Sequence, residues 1–332
     1  MKNYLILSND KVYLKNYLVS SAFNDTINII EAIGKKFQIL LFSRTSKNKT
    51  SFSQKINKKI TRLDYQSILS LKKMDDLKIF MISITPFNFI NFFIIQFFLG
   101  KQSGYLYLRS DGYQEYKKKI GFLGYIVYGI MLSKLSKRLQ VITVSNKIFH
   151  TNKKLIVNPS ELDHDWFVKE KKVTINYPKL LYLGRIKVEK GVYSLLNLLQ
   201  KSKKNFKISI VGGSKNFKKN SSIKFIKQVS KKKDIIKLYD EHNIFILPSF
   251  TEGAPKVILE SLARLRPVII FKEIKHVKLN FKGVFVCNRK SFSLDKKINY
   301  ILNNYRKIQK EMKKNILPNK KNFQSDLIKI VK

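Results

Sequence analysis

The chain has 332 residues, 44% hydrophobic and 12% aromatic, enough to fill two packed cores and too apolar for a disordered polymer. Its formal charge of +44, from 66 Lys and Arg against 22 Asp and Glu, points toward a polyanion: nucleic acid, an anionic membrane or a phosphorylated ligand. The make-up of the excess, 57 Lys and 9 Arg, weakens that pointer, because arginine is the better bidentate reader of phosphates and guanines. A single cysteine, Cys287, excludes an internal disulfide framework and a cysteine-based zinc cluster, and the four histidines show no metal-ligand spacing.

In chain order, the apolar run 4–8 is too short for the core of a signal peptide and reads as a first buried strand. Further strands are predicted at 37–42, 79–84, 104–108, 141–144 and 155–157. The uncharged stretch 79–100 has the nominal length of a membrane span, but Pro86, Asn88, Asn91 and Gln96 divide it into a strand and a helix at 87–99. A second uncharged patch, 121–132, sits in a predicted helix between Lys117-Lys118-Lys119 and Lys134, Lys137 and Arg138. Apolar faces with lysine flanks fit a peripheral membrane surface, and equally a core helix with solvated ends. The second half repeats the alternation, with strands predicted at 180–183, 207–211, 223–226, 244–247, 268–271 and 284–286.

Alternating strands and helices predict an α/β protein with parallel sheets covered on both faces. Two sets of about six strands predict two Rossmann-like domains. The polar stretch 161–177, closed by Pro178, is the expected linker. It divides the chain into a domain at 1–170 and a domain at 171–317, with a C-terminal helix at about 318–332 free to pack back on the first. The positive charge is uneven, net +15 over 1–168 and net +29 over 169–332.

Two segments of the second half do not read as ordinary core. Gly184-Arg185 and Glu189-Lys190-Gly191 follow a strand and precede a helix. Such a turn presents backbone N–H groups and the positive end of the helix dipole, and Arg185 and Lys190 beside it suit a diphosphate. In the second, a buried strand runs through Pro248-Ser249-Phe250-Thr251 into Glu252-Gly253-Ala254-Pro255-Lys256-Val257-Ile258-Leu259-Glu260, with Pro255 where a helix would start. Two carboxylates eight residues apart at the carboxyl edge of a parallel sheet are placed to hold polyol hydroxyls.

Together these segments resemble the group-1 (family 4) retaining nucleotide-sugar glycosyltransferases of GT-B fold. The resemblance covers about 140–290 and extends more loosely to residue 1. It rests on Glu252 and Glu260 as the family's Glu-x7-Glu, on Gly184-Arg185 with Glu189-Lys190-Gly191, and on the run from Asp234 to Tyr239 before the strand ending at Leu247. Val144-Ser145 followed by Asn158-Pro159 completes the order. The resemblance implies two Rossmann-like domains facing a cleft, the first on the acceptor side and the second binding the donor. It gives Arg185 and Lys190 the donor diphosphate, Glu260 the ribose hydroxyls, and Glu252 the transferred sugar. Gly184 and the segment Gly253, Ala254, Pro255, Lys256 and Val257 would complete the donor site.

The implied reaction moves a sugar from a UDP- or GDP-sugar to a hydroxyl of a glycan or lipid-linked glycan, with retention of configuration. Neither metal nor cofactor is expected; the nucleotide-sugar is a co-substrate. The setting is surface polysaccharide or lipopolysaccharide biosynthesis, in the cytoplasm or peripherally on an anionic inner membrane. No specific nucleic acid is expected as a partner. The chain also departs from the family. Residues 8–13 lack the usual glycine-rich loop, no histidine marks the acceptor side, Leu265 stands where glycine is usual, and Lys227-Gln228 replace another glycine. Asp111 is the acidic acceptor-side candidate. Asp163-His164-Asp165 looks like the Asp-x-Asp metal motif of a different glycosyltransferase fold, but it lies in the linker. Two other classes fit parts of the sequence: an impaired GT-B-like binding or partner subunit, and a basic nucleic-acid-binding protein, which the scarcity of arginine opposes.

Overall fold

A computed structural model describes the chain except for residues 1–2, 16–17, 22–23, 48–53, 57–59, 75, 145–147, 153–154, 168–172, 203–204, 214–220, 253–254 and 279. It divides into two compact units, one of residues 1–161 with 318–332 and one of residues 162–317. Leu162 and Trp166 belong to the second unit because both are buried in its core.

The first unit holds β1 (Asn3–Lys15), β2 (Leu18–Ser21), β3 (Gln38–Ser46), β4 (Gln54–Lys55), β5 (Ile60–Arg62), β6 (Leu77–Ile82), β7 (Gly104–Leu108) and β8 (Gln140–Thr143). Its parallel strands lie in the order β5-β3-β1-β6-β7-β8, the doubly wound Rossmann order. Side chains alternate between two buried faces: Leu5, Leu7, Ile79 and Met81 enter one core, Tyr4, Ile6, Phe80 and Ile82 the other. The helix Lys320–Val331 covers the second face through Phe323, Leu327 and Val331. Tyr105 donates to the Ile330 carbonyl at 2.8 Å, and Lys320 pairs with Glu31 at 3.0 Å.

Two expectations are corrected here. The first strand does not end at Ser8; it continues to Lys15, and β2 returns antiparallel against it. Buried Val12 pairs with both Thr45 and Ser21, so branched and apolar residues extend the sheet where a glycine-rich loop would have opened it. Residues 155–157 form no strand, only a single bridge between Ile156 and Thr143.

The second unit holds β9 (Lys179–Leu183), β10 (Lys207–Val211), β11 (Ile223–Ile226), β12 (Ile244–Leu247), β13 (Val268–Phe271) and β14 (Val284–Cys287). Their order, β11-β10-β9-β12-β13-β14, is again the Rossmann order. Cys287 is buried, and burial pushes its thiol up to about 12, so it stays protonated at neutral pH.

Under this sheet lies a charged knot. Arg264 grips Asp240 through two 2.9 Å bonds, and Arg266, 1% exposed, donates to the carbonyls of Tyr239 and Arg264 at 2.9 and 2.8 Å. Arg266 Nη2 also lies 3.6 Å from Asp240. These contacts tie the helix Lys232–Glu241 to the turn after the helix Lys256–Ala263. Asp240→Asn leaves buried guanidinium charge without its counter-ion and is expected to cost about 3–5 kcal/mol. A urea melt followed by circular dichroism measures this, with a fall in Tm on the order of 10 °C alongside.

Candidate donor site

The strand order of the second unit reverses between β9 and β12, which pair through Leu180 with Ile244 and Leu181 with Phe245. At such a switch point the loops leaving the carboxyl ends of the two strands diverge and leave room for a ligand. The loops here are 184–191 after β9 and 248–255 after β12, which carry most of the residues singled out from the sequence. A cavity of about 550 Å3 opens at the opposite, amino edge beside Lys179, Lys207 and His242, away from both loops.

Glycine geometry joins the two loops. Gly191 has φ +66° and begins the helix Val192–Gln200; a Cβ there would lie 2.0 Å from the Pro248 carbonyl oxygen. The Phe250 N–H donates to the Glu189 carbonyl at 2.9 Å. These contacts bring side chains from both loops together: Lys190 Nζ donates to Glu252 Oε1 at 2.7 Å, and Ser249 Oγ donates to the same oxygen at 2.6 Å. The His276 ring lies 2.8 Å from the Glu252 carbonyl oxygen. Glu252 is thus held at backbone and side chain beside a lysine that could equally meet an anionic ligand.

Glu260 lies on the helix Lys256–Ala263, where its carboxylate accepts from Tyr239 OH at 3.0 Å. Tyr239 is fully buried, and burial together with the Glu260 charge raises its pKa well above the ordinary tyrosine value, so it remains a proton donor. This bond gives the segment from Asp234 to Tyr239 a physical role: it aims Glu260. Arg185 is exposed, and its carbonyl accepts from Tyr182 OH at 2.8 Å. Gly184 is close-packed, since a Cβ on Gly212 would lie 1.9 Å from its carbonyl oxygen. Pro255 caps the helix start ahead of Lys256, and the Val257 carbonyl accepts from Tyr239 at 3.2 Å. Gly253 and Ala254 lie outside the described residues, as does Ser145.

Sequence reasoning missed Arg289. Its guanidinium is sandwiched between the rings of Phe250 and Phe271, with centroids at 4.1 and 4.3 Å. It donates to the Pro248 carbonyl at 3.0 Å, to Ser194 Oγ at 3.4 Å and to Glu273 at 2.7 Å. One side chain from the segment after β14 thereby joins the helix Val192–Gln200 to the segments after β12 and β13. Among 66 basic residues, nothing in the spacing marked it; only its being one of nine arginines could have.

The first unit gathers a polar cluster at the carboxyl edge of its own sheet. Asp10 accepts from buried Thr26 and lies 3.3 Å from Arg109, which also donates to Ser83 at 3.0 Å. Ser83 adopts φ +64°, rare for a non-glycine residue, and Asn88 donates to its carbonyl at 2.9 Å. Asp111, the acceptor-side candidate, caps a helix, its carboxylate accepting from the Gln114 N–H at 3.1 Å. Asp163 and Asp165 of the expected linker both pair with Lys232, at the start of the helix Lys232–Glu241.

These features are those of an α/β protein with two Rossmann-type sheets and a polar site at a switch point. A profile of the family "Glycosyl transferases group 1" matches residues 165–317. Solved structures align with the whole chain: Anabaena Alr3699/HepE in complex with UDP and glucose, at 14% identity and TM-score 0.63, covering 100% of this chain and 96% of that one. WaaG, a glycosyltransferase involved in lipopolysaccharide biosynthesis, aligns at 12% identity and TM-score 0.62 over 99% of each chain. Sucrose-phosphate synthase from Thermosynechococcus elongatus aligns at 12% identity and TM-score 0.60, over 100% of this chain and 95% of that one. No curated protein sequence matches the chain. The chain has the GT-B fold, and its residues 165–317 match the group 1 glycosyltransferase family.

Gly191→Ala must place a methyl group in the left-handed region and against the Pro248 carbonyl, and is expected to cost at least about 2 kcal/mol by urea denaturation. Arg289→Lys keeps the charge but loses the fork and the ring sandwich. Hydrogen exchange of the Phe250 amide is then expected to quicken about tenfold by mass spectrometry, while that of buried β9 stays as it was.

Proposed function

We propose that the protein transfers a sugar from a nucleoside-diphosphate sugar, UDP- or GDP-linked, to a hydroxyl of a glycan or lipid-linked glycan, with retention of the anomeric configuration. The observation that carries this reading is the meeting of Lys190 and Glu252 at the switch point, with Glu260 fixed by Tyr239 on the following helix. A donor diphosphate between Arg185 and Lys190 would replace Glu252 as partner of the lysine and free that carboxylate for sugar hydroxyls. The ribose hydroxyls would reach Glu260, and the backbone N–H groups of Lys256 and Val257, at the start of the same helix, would face the sugar.

In the transfer, the bond between the anomeric carbon and the phosphate oxygen breaks, its electron pair leaving with the nucleoside diphosphate. The acceptor oxygen then bonds the same carbon. Retention requires the acceptor to approach from the face the leaving group vacates, so the departing phosphate oxygen is the nearest base for the hydroxyl proton. Arg185 and Lys190 supply counter-charge as that bond breaks, in place of a metal ion. Fixed cations of this kind lower the barrier because they need no reorganisation during the reaction. HepE, aligned above, is solved with UDP-glucose, which supports a nucleotide-sugar donor. WaaG, described as involved in lipopolysaccharide biosynthesis, supports a role in building lipopolysaccharide or related surface glycans.

Saturating UDP, GDP or one of their sugar derivatives is expected to raise Tm, since a ligand at a hundred times its Kd stabilises the native state by about 2.7 kcal/mol. Glu252→Gln is expected to lower turnover by about 10²–10³ while retaining nucleotide binding, and Arg185→Ala to weaken both. A flat melting response across a full donor panel would overturn the reading. Binding without turnover in the wild type would favour the partner-subunit alternative.

A further inference from the structure

The helical segment Gly112–Ser136 is a hairpin. At Ile120 (φ −137°, ψ 25°) and Gly121 (φ 67°, ψ −152°) the backbone leaves the helical region. The segments on either side fold against each other: the Tyr113 ring lies 4.6 Å from Tyr125 and 4.9 Å from Tyr128, and Tyr116 lies 5.3 Å from Tyr128. Twelve residues of continuous helix would separate Tyr113 from Tyr125 by about 18 Å. Glycines allow the closeness, since a Cβ at Gly112 would meet the Tyr128 ring at 2.0 Å and one at Gly124 the Tyr116 carbonyl at 2.2 Å.

The turn of this hairpin is apolar and bare. Ile120, Phe122 and Leu123 are 57%, 69% and 69% exposed. Along the second arm Tyr128, Met131, Leu132 and Leu135 are buried, yet the outward residues Ile126, Val127 and Ile130 are apolar and exposed too. The neighbouring helix Pro86–Leu99 continues the surface, with Phe97 84% exposed beside an apolar recess of about 450 Å3 bounded by Lys134. Arg138 joins the two, its guanidinium 5.0 Å from the Phe93 ring centroid and 2.7 Å from Gln96 Oε1. Exposed large apolar side chains gathered in this number on two neighbouring helical segments mark a docking face.

Cations rim the face: Lys117 and Lys119 before the turn, Lys134, Lys137 and Arg138 at the far end, against two carboxylates, Asp111 and Glu115, in all of residues 86–138. No helix among the described residues is long and apolar enough to cross a membrane. We propose that this face of the first unit docks on a bilayer containing anionic phospholipid, the turn at 120–123 entering the boundary between headgroups and acyl chains while the flanking lysines meet headgroup phosphates. Apolar residues backed by lysines match that depth profile. A second copy of the chain is a poor occupant, because its lysine rim would face the same rim and both carry +44. The inference stands on the first unit alone and holds whichever sugar the second unit takes.

Flotation of the full chain with vesicles of phosphatidylglycerol and phosphatidylcholine tests it, with pure phosphatidylcholine as the control. The expected result is binding to the anionic vesicles alone, weakened at least about tenfold in the double variant Phe122→Ser, Leu123→Ser and made more salt-sensitive by Phe122→Ser alone. An unchanged melting curve establishes that the double variant is folded. In the Phe122→Trp variant, fluorescence is expected to shift to the blue on adding anionic vesicles; the native Trp166 is buried and acts as an internal reference. Three outcomes would overturn the proposal: no binding by the wild type, wild-type binding by the double variant, or a wild-type dimer in sedimentation velocity that the double variant abolishes.

Discussion

The candidate donor site depends on one close approach, that of the Gly191 backbone to the Pro248 carbonyl. There is no room between them for a single carbon atom. Because the two loops touch, the Phe250 N–H finds the Glu189 carbonyl, Lys190 meets Glu252, and Arg289 reaches both sides of the contact. The Rossmann order brings β9 and β12 together, so the approach follows from topology, while glycine permits its final closeness. A polar site at a switch point stays polar only if its loops are held apart from the core yet fixed to each other. Backbone contacts and one stacked guanidinium meet that requirement here.

The nine arginines and 57 lysines divide the work according to their chemistry. Arg264, Arg266, Arg289 and Arg109 each hold several partners at once in partly or fully buried places. A planar fork can satisfy two carbonyls and stack on a ring in one pose, which a lysine ammonium cannot. Lys190 differs from the solvated lysines, being largely buried and paired with a carboxylate. The +44 charge is therefore a poor guide to the candidate donor site, while the places where cations are buried are a better one.

The two sheets share an order but not an edge. In the second unit, β9 and β12 release open loops. In the first, β1 runs on into a hairpin, and the edge is finished by Asp10, Arg109 and the strained turn at Ser83. The positive φ there is supported by the Asn88 amide, which bonds the carbonyls of Ile82 and Ser83 at 2.8 and 2.9 Å. Leu265 is a related case. It holds φ +53° at the end of the helix Lys256–Ala263, the place where glycine was expected, and the closing Arg266 N–H to Ser261 carbonyl bond at 2.9 Å forms regardless. The neighbouring buried guanidinium of Arg266 over-determines the turn that leucine alone would not choose.

The amino-acid sequence by itself determined the alternation of strands and helices, the break at Pro86, and the candidate residues Arg185, Lys190, Glu252 and Glu260. Each of these is written in local pattern: apolar runs of strand length, a proline, and charged residues in the turns and helix starts that follow strands. Only the tertiary structure decided that Tyr239 aims Glu260, that Arg289 joins Pro248, Ser194 and Glu273, that Asp111 caps a helix while Asp10 enters a charged cluster, and that 112–136 doubles back at Gly121. Those features pair residues far apart in the chain, or rest on a backbone turn with no signature beyond one glycine among thirteen. Local periodicity reports which face of an element is apolar; which partner that face meets is set by how the elements pack.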